Sequence, residues 1–345
     1  MTAPRPSQLL ERLQRGEEAA LARLLTLVEE GGDEAAAVIG ALGASEARSH
    51  VVGVTGPPGS GKSTLVGRLV AEYRRRGARV GVLAIDPSSQ RTGGALLGDR
   101  LRMASVADDR EVFIRSMATR GALGGLARAT ADAVAVLAAA GRSVVIIETV
   151  GVGQTEMDVV EAAQTVAVVS VPGLGDGVQA MKSGLLEVAD VHVVNMADRE
   201  GASRTAADLR EAVHASARRD DGWEVPVLLT DALHGEGVDA LVETLDAHRA
   251  AIAASGELDR RVRRNAEARI RRAGEELVRA LLAGRTGAEL VDAVAAGDLD
   301  PASAVRALLA GAAGRDPLLG HAPVARSRLP ASGAAAEEWR RQSAP

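Results

Sequence analysis

The chain has 345 residues, 46% of them apolar, which is enough for a substantial core, and its 41 basic and 46 acidic residues leave a net charge of −5. That balance argues against a polyanionic surface as the main partner, and aromatic residues (Tyr73, Phe113, Trp223, Trp339) are too few for platforms that stack single-stranded nucleic acid. The lack of cysteine removes thiol catalysis, disulfides and soft-metal cages, while the absence of a signal core or of a run near the roughly 20 apolar residues of a membrane span predicts a cytoplasmic chain with neither membrane nor nucleic acid as partner.

From Ser7 to Leu42 the apolar spacing is helical, broken at Gly16 and at Gly31-Gly32, and residues 1–45 are read as an N-terminal helical lead-in. From Val51 to about Ala254, short apolar runs alternate with longer helical patterns. The runs are Val51 to Thr55, Val80 to Ile85, Val112 to Ile114, Ser143 to Ile147, Thr165 to Ser170, Val191 to Val194 and Val227 to Leu229. This alternation predicts an α/β domain over residues 46–255, a mostly parallel sheet with helices on both faces. Leu258 to Ala283 reads as a long arginine-rich amphipathic helix, followed by shorter helices over Gly287 to Ala296 and Pro301 to Ala310, so residues 256–312 form a C-terminal helical region. Residues 313–345, rich in Gly, Ala, Pro and Arg, are expected to be a flexible tail.

All but two of the basic residues are arginine; the lysines are Lys62 and Lys182. Lys62 lies in Gly56-Pro57-Pro58-Gly59-Ser60-Gly61-Lys62-Ser63-Thr64, which satisfies G-x-x-x-x-G-K-[ST] between a predicted strand and a helix beginning near Leu65. In such a phosphate loop the glycines let backbone N–H groups approach a β-phosphate, Lys62 reaches the β- and γ-phosphates, and the Ser63 hydroxyl suits magnesium. Magnesium also needs carboxylates near the carboxyl ends of parallel strands, where Asp86 and Glu148 stand. The plainer readings are a helix cap for Asp86 and a solvated strand end for Glu148. Glu148 heads Glu148-Thr149-Val150-Gly151, whose Gly151 N–H is free to meet a γ-phosphate. After the sixth apolar run comes Asn195-Met196-Ala197-Asp198, which is similar to the guanine-reading N-K-x-D: a carboxylate at Asp198 accepts from guanine N1–H and the 2-amino group, donors that adenine lacks. N-x-x-D is also a common loop accident.

Taken together these segments resemble the MeaB/ArgK family, G proteins associated with methylmalonyl-CoA mutase. The resemblance runs through the phosphate loop, Asp86 to Asp99, Arg120 to Gly125, Ile147 to Gln154 and Pro172 to Lys182, within about Arg23 to Leu309. It implies a GTPase that binds Mg²⁺ and GTP or GDP and serves a B12-dependent acyl-CoA mutase, gating adenosylcobalamin delivery and helping to remove damaged cofactor. It further implies a homodimer formed through the C-terminal helices, magnesium and switch roles for Asp86, Asp99 and Glu148, and a third switch carrying Gln179 and Lys182. The loop of Asp231, Ala232 and Leu233 then supports the base. Three positions depart from the family pattern. Met196 replaces the lysine of N-K-x-D, which predicts weaker or less selective purine binding; Asp231 replaces a small residue and is expected to face the guanine O6; Gly177 replaces an acidic residue of the third switch.

The expected chemistry is in-line attack of water on the γ-phosphate, with Lys62, the loop N–H groups and Mg²⁺ stabilising a loose transition state. Gln154 either orients that water or packs within the second switch, and Arg91, Arg100 and Arg120 are either stabilising cations or surface residues. Three alternatives remain: a phosphate-loop kinase acting on a small molecule or periplasmic transport protein, a metallochaperone GTPase, and a nucleotide-bound scaffold without turnover. The dispersed histidines and absent cysteines count against the metallochaperone.

Overall fold

The computed structural model describes residues 5–42, 49–86, 109–118, 125–149, 161–173, 185–215 and 222–313. Among these, seven strands build one sheet: β1 (His50–Thr55), β2 (Val80–Asp86), β3 (Val112–Ala118), β4 (Val144–Thr149), β5 (Thr165–Ser170), β6 (Val191–Asn195) and β7 (Val227–Thr230). Their order is β3-β2-β4-β1-β5-β6-β7 and every neighbouring pair is parallel. The predicted α/β sheet is therefore present, and each of the apolar runs is a strand. Most strands match their runs to within one or two residues at each end, and β3 departs furthest, continuing through Arg115 and Ser116 where the apolar pattern stops. Among the described strands it lies at one end of the sheet, and the Arg115 guanidinium reaches Glu29 Oε2 at 2.5 Å, a pairing that lets the strand continue through a charged position.

The strands are unbroken apolar runs because both faces are covered, and successive side chains point to opposite faces. One face, with Val51, Leu83, Ile85, Val145 and Ile147, packs under α1 (Pro6–Gln14), α2 (Glu18–Glu30) and α3 (Gly32–Leu42), and under a further helix, Gly125–Ala139. The other, with Val52, Val54, Val80, Val82, Val144 and Ile146, packs under α4 (Lys62–Arg75) and a helix at Val238–Ala254. Numbering these in chain order gives α5 (Gly125–Ala139), α6 (Leu185–Val188), α7 (Ala202–Ala215) and α8 (Val238–Ala254). Helices α6 and α7 cover β5 and β6 through Leu185, Ala202, Ala206 and Leu209 against Val166, Val168 and Val194. The layers bring the carboxyl ends of β1, β4, β5, β6 and β7 to one edge, where ligands of such sheets bind.

The chain divides into compact units at Met1–Asn265 and Ala266–Pro345. Helix α9 (Glu257–Leu282) begins in the first and ends in the second, which also holds α10 (Arg285–Ala296) and α11 (Pro301–Ala313). The second unit carries apolar side chains open to solvent at Ile270, Leu282, Val291, Val305 and Leu309. No described helix is long and apolar enough to cross a membrane.

Candidate functional site

Strand β1 ends at Thr55 and the chain turns through Gly56 to Gly61 into α4, whose first residue is Lys62. Gly56 has φ +140°, and a Cβ there would lie 2.0 Å from the Val169 carbonyl oxygen, so only glycine lets the loop pass β5 this closely. Gly61 has φ +80°, and its Cβ would meet Asn195 Nδ2 at 2.5 Å. Lys62 is buried, and a buried ammonium needs acceptors. Its Nζ donates to the Gly56 carbonyl at 2.7 Å and the Pro57 carbonyl at 2.9 Å, folding back over the loop it follows.

One residue on, Ser63 Oγ donates to Glu148 Oε1 at 2.6 Å, and both side chains are buried. The contact joins residues 85 apart in sequence because β4 lies beside β1, with Val54 opposite Glu148. The adjacent Thr149 and Thr55 hydroxyls are 3.0 Å apart. Asp86 is the last residue of β2 and pairs in register with Ala118. The side chains of Ser63 and Glu148 offer oxygen donors, the chemistry that a hard divalent cation prefers.

Asn195, at the end of β6, holds three segments together. Its Nδ2 donates to the Ser60 carbonyl at 2.9 Å, while its Oδ1 accepts from Thr230 Oγ1 at 3.2 Å and from the Ala232 N–H at 3.1 Å. A single buried amide thus fixes the phosphate loop against the loops after β6 and β7. Met196 follows with φ 59°, a left-handed backbone that directs its Cε toward Gly61. The Ala197 N–H donates to the Thr230 carbonyl at 3.0 Å, and Asp198 is exposed at the rim.

Asp231 does not stand as a free carboxylate facing a base. It is buried in its own loop, where Oδ1 accepts from the N–H groups of Leu233 at 2.9 Å and His234 at 3.2 Å, and Oδ2 lies 2.5 Å from His234 Nδ1. The reason is local: the Asp231–Glu236 bridge folds residues 231–236 back on themselves and presents these N–H groups to the side chain. Arg68 of α4 closes the turn, donating to the Ala232 carbonyl at 3.0 Å and also to that of Leu233. The His234 contact holds the Asp231 carboxyl below its usual range and, reciprocally, raises the imidazole, with Asp198 and Glu236 adding to the rise. Leu233 projects into solvent. His234 escaped the sequence reading; its only signal was an aspartate followed three residues later by histidine in a turn after a strand.

Asp99, Gly151, Gln154, Gln179 and Lys182, together with Gly177, Arg91, Arg100 and Arg120, lie outside the described residues.

The parallel sheet, the glycine loop running from β1 into α4 and the lysine at that helix start define a phosphate-loop NTPase. Within that class the chain belongs to the MeaB family: residues 21–286 match the family described as methylmalonyl Co-A mutase-associated GTPase MeaB. A relative from Pyrococcus abyssi that carries the GTPase name is 45% identical over 312 residues, 88% of this chain and 95% of its own length. The GTPase ArgK of Escherichia coli is 36% identical, covering 73% of this chain and 78% of its own. A crystal structure of a protein named LAO/AO transport system kinase superposes with a TM-score of 0.67 at 28% identity, covering 89% of this chain and 97% of its own. The chain is a GTPase, as the resemblance in its motifs implied, and family membership implies binding of a guanine nucleotide.

Proposed function

We propose that this chain is a Mg²⁺-dependent GTPase whose nucleotide cycle serves an adenosylcobalamin-dependent acyl-CoA mutase of the methylmalonyl-CoA mutase type, gating cofactor loading and protecting or reactivating the mutase. The observation that carries the nucleotide part is the Asn195 junction, which locks a phosphate loop to a candidate base-reading Asp198 three residues away. The mutase part rests on the association in the family's description.

In this reading the N–H groups of residues 56–61 and the start of α4 cradle the β-phosphate, and Ser63 and Thr64 continue that cradle. Lys62 exchanges the Gly56 and Pro57 carbonyls for β- and γ-phosphate oxygens. Water attacks the γ-phosphorus in line as its bond to the β–γ bridging oxygen breaks, releasing GDP and inorganic phosphate. Gly151 donates to the γ-phosphate and Gln154 orients the water. Ser63 and Glu148, already paired at 2.6 Å, fit magnesium by their oxygen chemistry, with Asp86 and Asp99 as further ligands. When bound, the ion neutralises charge that develops on the phosphate oxygens. Asp198 accepts from guanine N1–H and the 2-amino group, Asn195 sets the loops, and residues Asp231, Ala232 and Leu233 border the base. Gln179 and Lys182 couple nucleotide state to the mutase. The solvent-facing apolar residues of the second unit support a homodimer formed through the C-terminal helices.

The test is phosphate release from GTP with and without a purified methylmalonyl-CoA-type mutase, alongside co-sedimentation of the two proteins in GDP and in a non-hydrolysable GTP analogue. Stimulated turnover and nucleotide-dependent association are expected; no association in either state removes the mutase from the account. The likeness to a solved structure named as a kinase favours a second reading, phosphoryl transfer to an acceptor other than water. Labelled phosphate from γ-labelled GTP appearing on a small acceptor or a transport protein, rather than free in solution, would establish it.

A further inference from the structure

We propose that His234, held by Asp231 beside the base-reading loops, is a specificity-determining residue that as an imidazolium donates its Nε2–H to the 6-oxo group of guanine. This rests on the reading of Asp198 as the carboxylate that meets the other side of the base.

The loop after β7 has no uncommitted backbone donor over residues 231–234. The Asp231 N–H donates to the Glu236 carbonyl at 3.0 Å and the Ala232 N–H to Asn195 Oδ1 at 3.1 Å; both of the next two, from Leu233 and His234, go to Asp231 Oδ1. A 6-oxo acceptor arriving here needs a donor, and His234 is the side chain at hand: it is 61% exposed while its partner Asp231 is 5% exposed. Asp231 also dictates the tautomer. A carboxylate only accepts, so the proton must sit on Nδ1, 2.5 Å away. The neutral ring then presents Nε2 as an acceptor, which suits the 6-amino group of adenine. The charged ring presents Nε2–H, which suits the 6-oxo group of guanine. One proton inverts which purine the loop accepts.

The groups facing the ring set that proton. Asp231 and Glu236 on its own loop and Asp198 on the loop after β6 all favour the cation. Desolvation works against it, and the nearby Arg68 guanidinium of α4 is engaged by the Ala232 and Leu233 carbonyls. The His234 ring is exposed, so His234→Ala leaves the sheet and the phosphate loop intact, and Asp231→Asn keeps the buried Oδ1 acceptor for the Leu233 and His234 N–H groups.

Calorimetric affinities for GDP, IDP and ADP, measured from pH 6 to 8.5 on wild type, His234→Ala and Asp231→Asn, test this. The His234→Ala profile subtracts titration of the phosphates. Relative to it, wild-type affinity for GDP and for IDP, which keeps the 6-oxo group, is expected to fall about tenfold as pH rises, the loss of one charge-assisted hydrogen bond. ADP affinity should not fall, and Asp231→Asn should move the midpoint to lower pH. Parallel profiles for wild type and His234→Ala, or the same slope for IDP and ADP, overturn the inference. Asp198→Ala separates it from the reading it rests on. Loss of the preference for GDP over IDP, with the pH dependence of IDP retained, supports both. An unchanged GDP preference in Asp198→Ala removes the base-reading assignment and this inference with it.

Discussion

Arg261 closes on Asp190 with both terminal guanidinium nitrogens, at 2.7 and 2.9 Å, and Asp190 is fully buried. Asp190 also accepts from the Val166 N–H at 2.8 Å, and His248 Nε2 lies 3.2 Å from it. Burial alone would raise this carboxyl, but His248 and Arg261 outweigh it and hold the group ionised. The pair lies before the first residues of β5 and β6, at the opposite edge of the sheet from the phosphate loop, and it anchors the first turns of α9 there.

Removing Arg261 leaves His248 and the Val166 N–H to compensate the buried Asp190 charge. Arg261→Ala is therefore expected to cost about 3–5 kcal/mol, read as a lower urea midpoint at pH 7 with an unchanged m-value. Arg261→Met combined with Asp190→Asn should recover most of that loss, because the asparagine still accepts from Val166 without carrying charge. A double variant no better than the single would contradict this.

His192 in β6 is fully buried, and desolvation lowers its pKa to about 4. Between that value and the ordinary histidine range the unfolded chain binds the extra proton and the folded chain does not. Stability is therefore full above about pH 6.5 and declines as pH falls toward 4, by about 3 kcal/mol from this group. His192→Leu should flatten this part of the profile of unfolding free energy against pH. An unchanged slope would show that other groups carry it.

Asn195→Ala removes three hydrogen bonds and leaves the Ser60 carbonyl without the Nδ2 donor. The expected cost is about 2–4 kcal/mol in the free protein. GDP should also bind at least about tenfold more weakly, since the phosphate loop and the base-side loops lose their common anchor. Thermal unfolding with and without GDP reads both effects.

Glu148→Gln keeps an acceptor for Ser63 Oγ but loses the charge. Nucleotide binding without metal should be nearly unchanged, whereas the Mg²⁺ concentration for half-maximal turnover should rise and turnover should fall by about 10²-fold or more. Wild-type metal dependence in this variant would remove Glu148 from the magnesium site.

In the second unit, Ile270 and Val291 are 74% and 51% exposed. Replacing both with glutamate should convert the proposed dimer to a monomer in light scattering while phosphate release without a partner protein persists. A dimer that survives would place the interface elsewhere.

The sheet was legible because both of its faces are covered, which turns each strand into an unbroken apolar run; β3 ran longer than its pattern because the pairing of Arg115 with Glu29 lets the strand continue through a charged position. The phosphate loop was legible because its glycines are required by backbone geometry, as the 2.0 Å approach at Gly56 shows. Side-chain pairings were not. Ser63 and Glu148 are 85 residues apart and Asp190 and Arg261 are 71 apart, so no local pattern joins them. Asp231 stood out in the sequence only as a departure from the family pattern, and the fold of residues 231–236 is what turns its carboxylate onto Leu233 and His234.

The central claim is that the loops joined by Asn195 read guanine through Asp198. Calorimetry of GDP and ADP with Mg²⁺ at pH 7, on wild type and on Asp198→Ala, tests it most directly. The account predicts strong preference for GDP in wild type and its loss in Asp198→Ala with ADP binding unchanged. Equal binding of the two purines by wild type, or a preference that survives in Asp198→Ala, would contradict it.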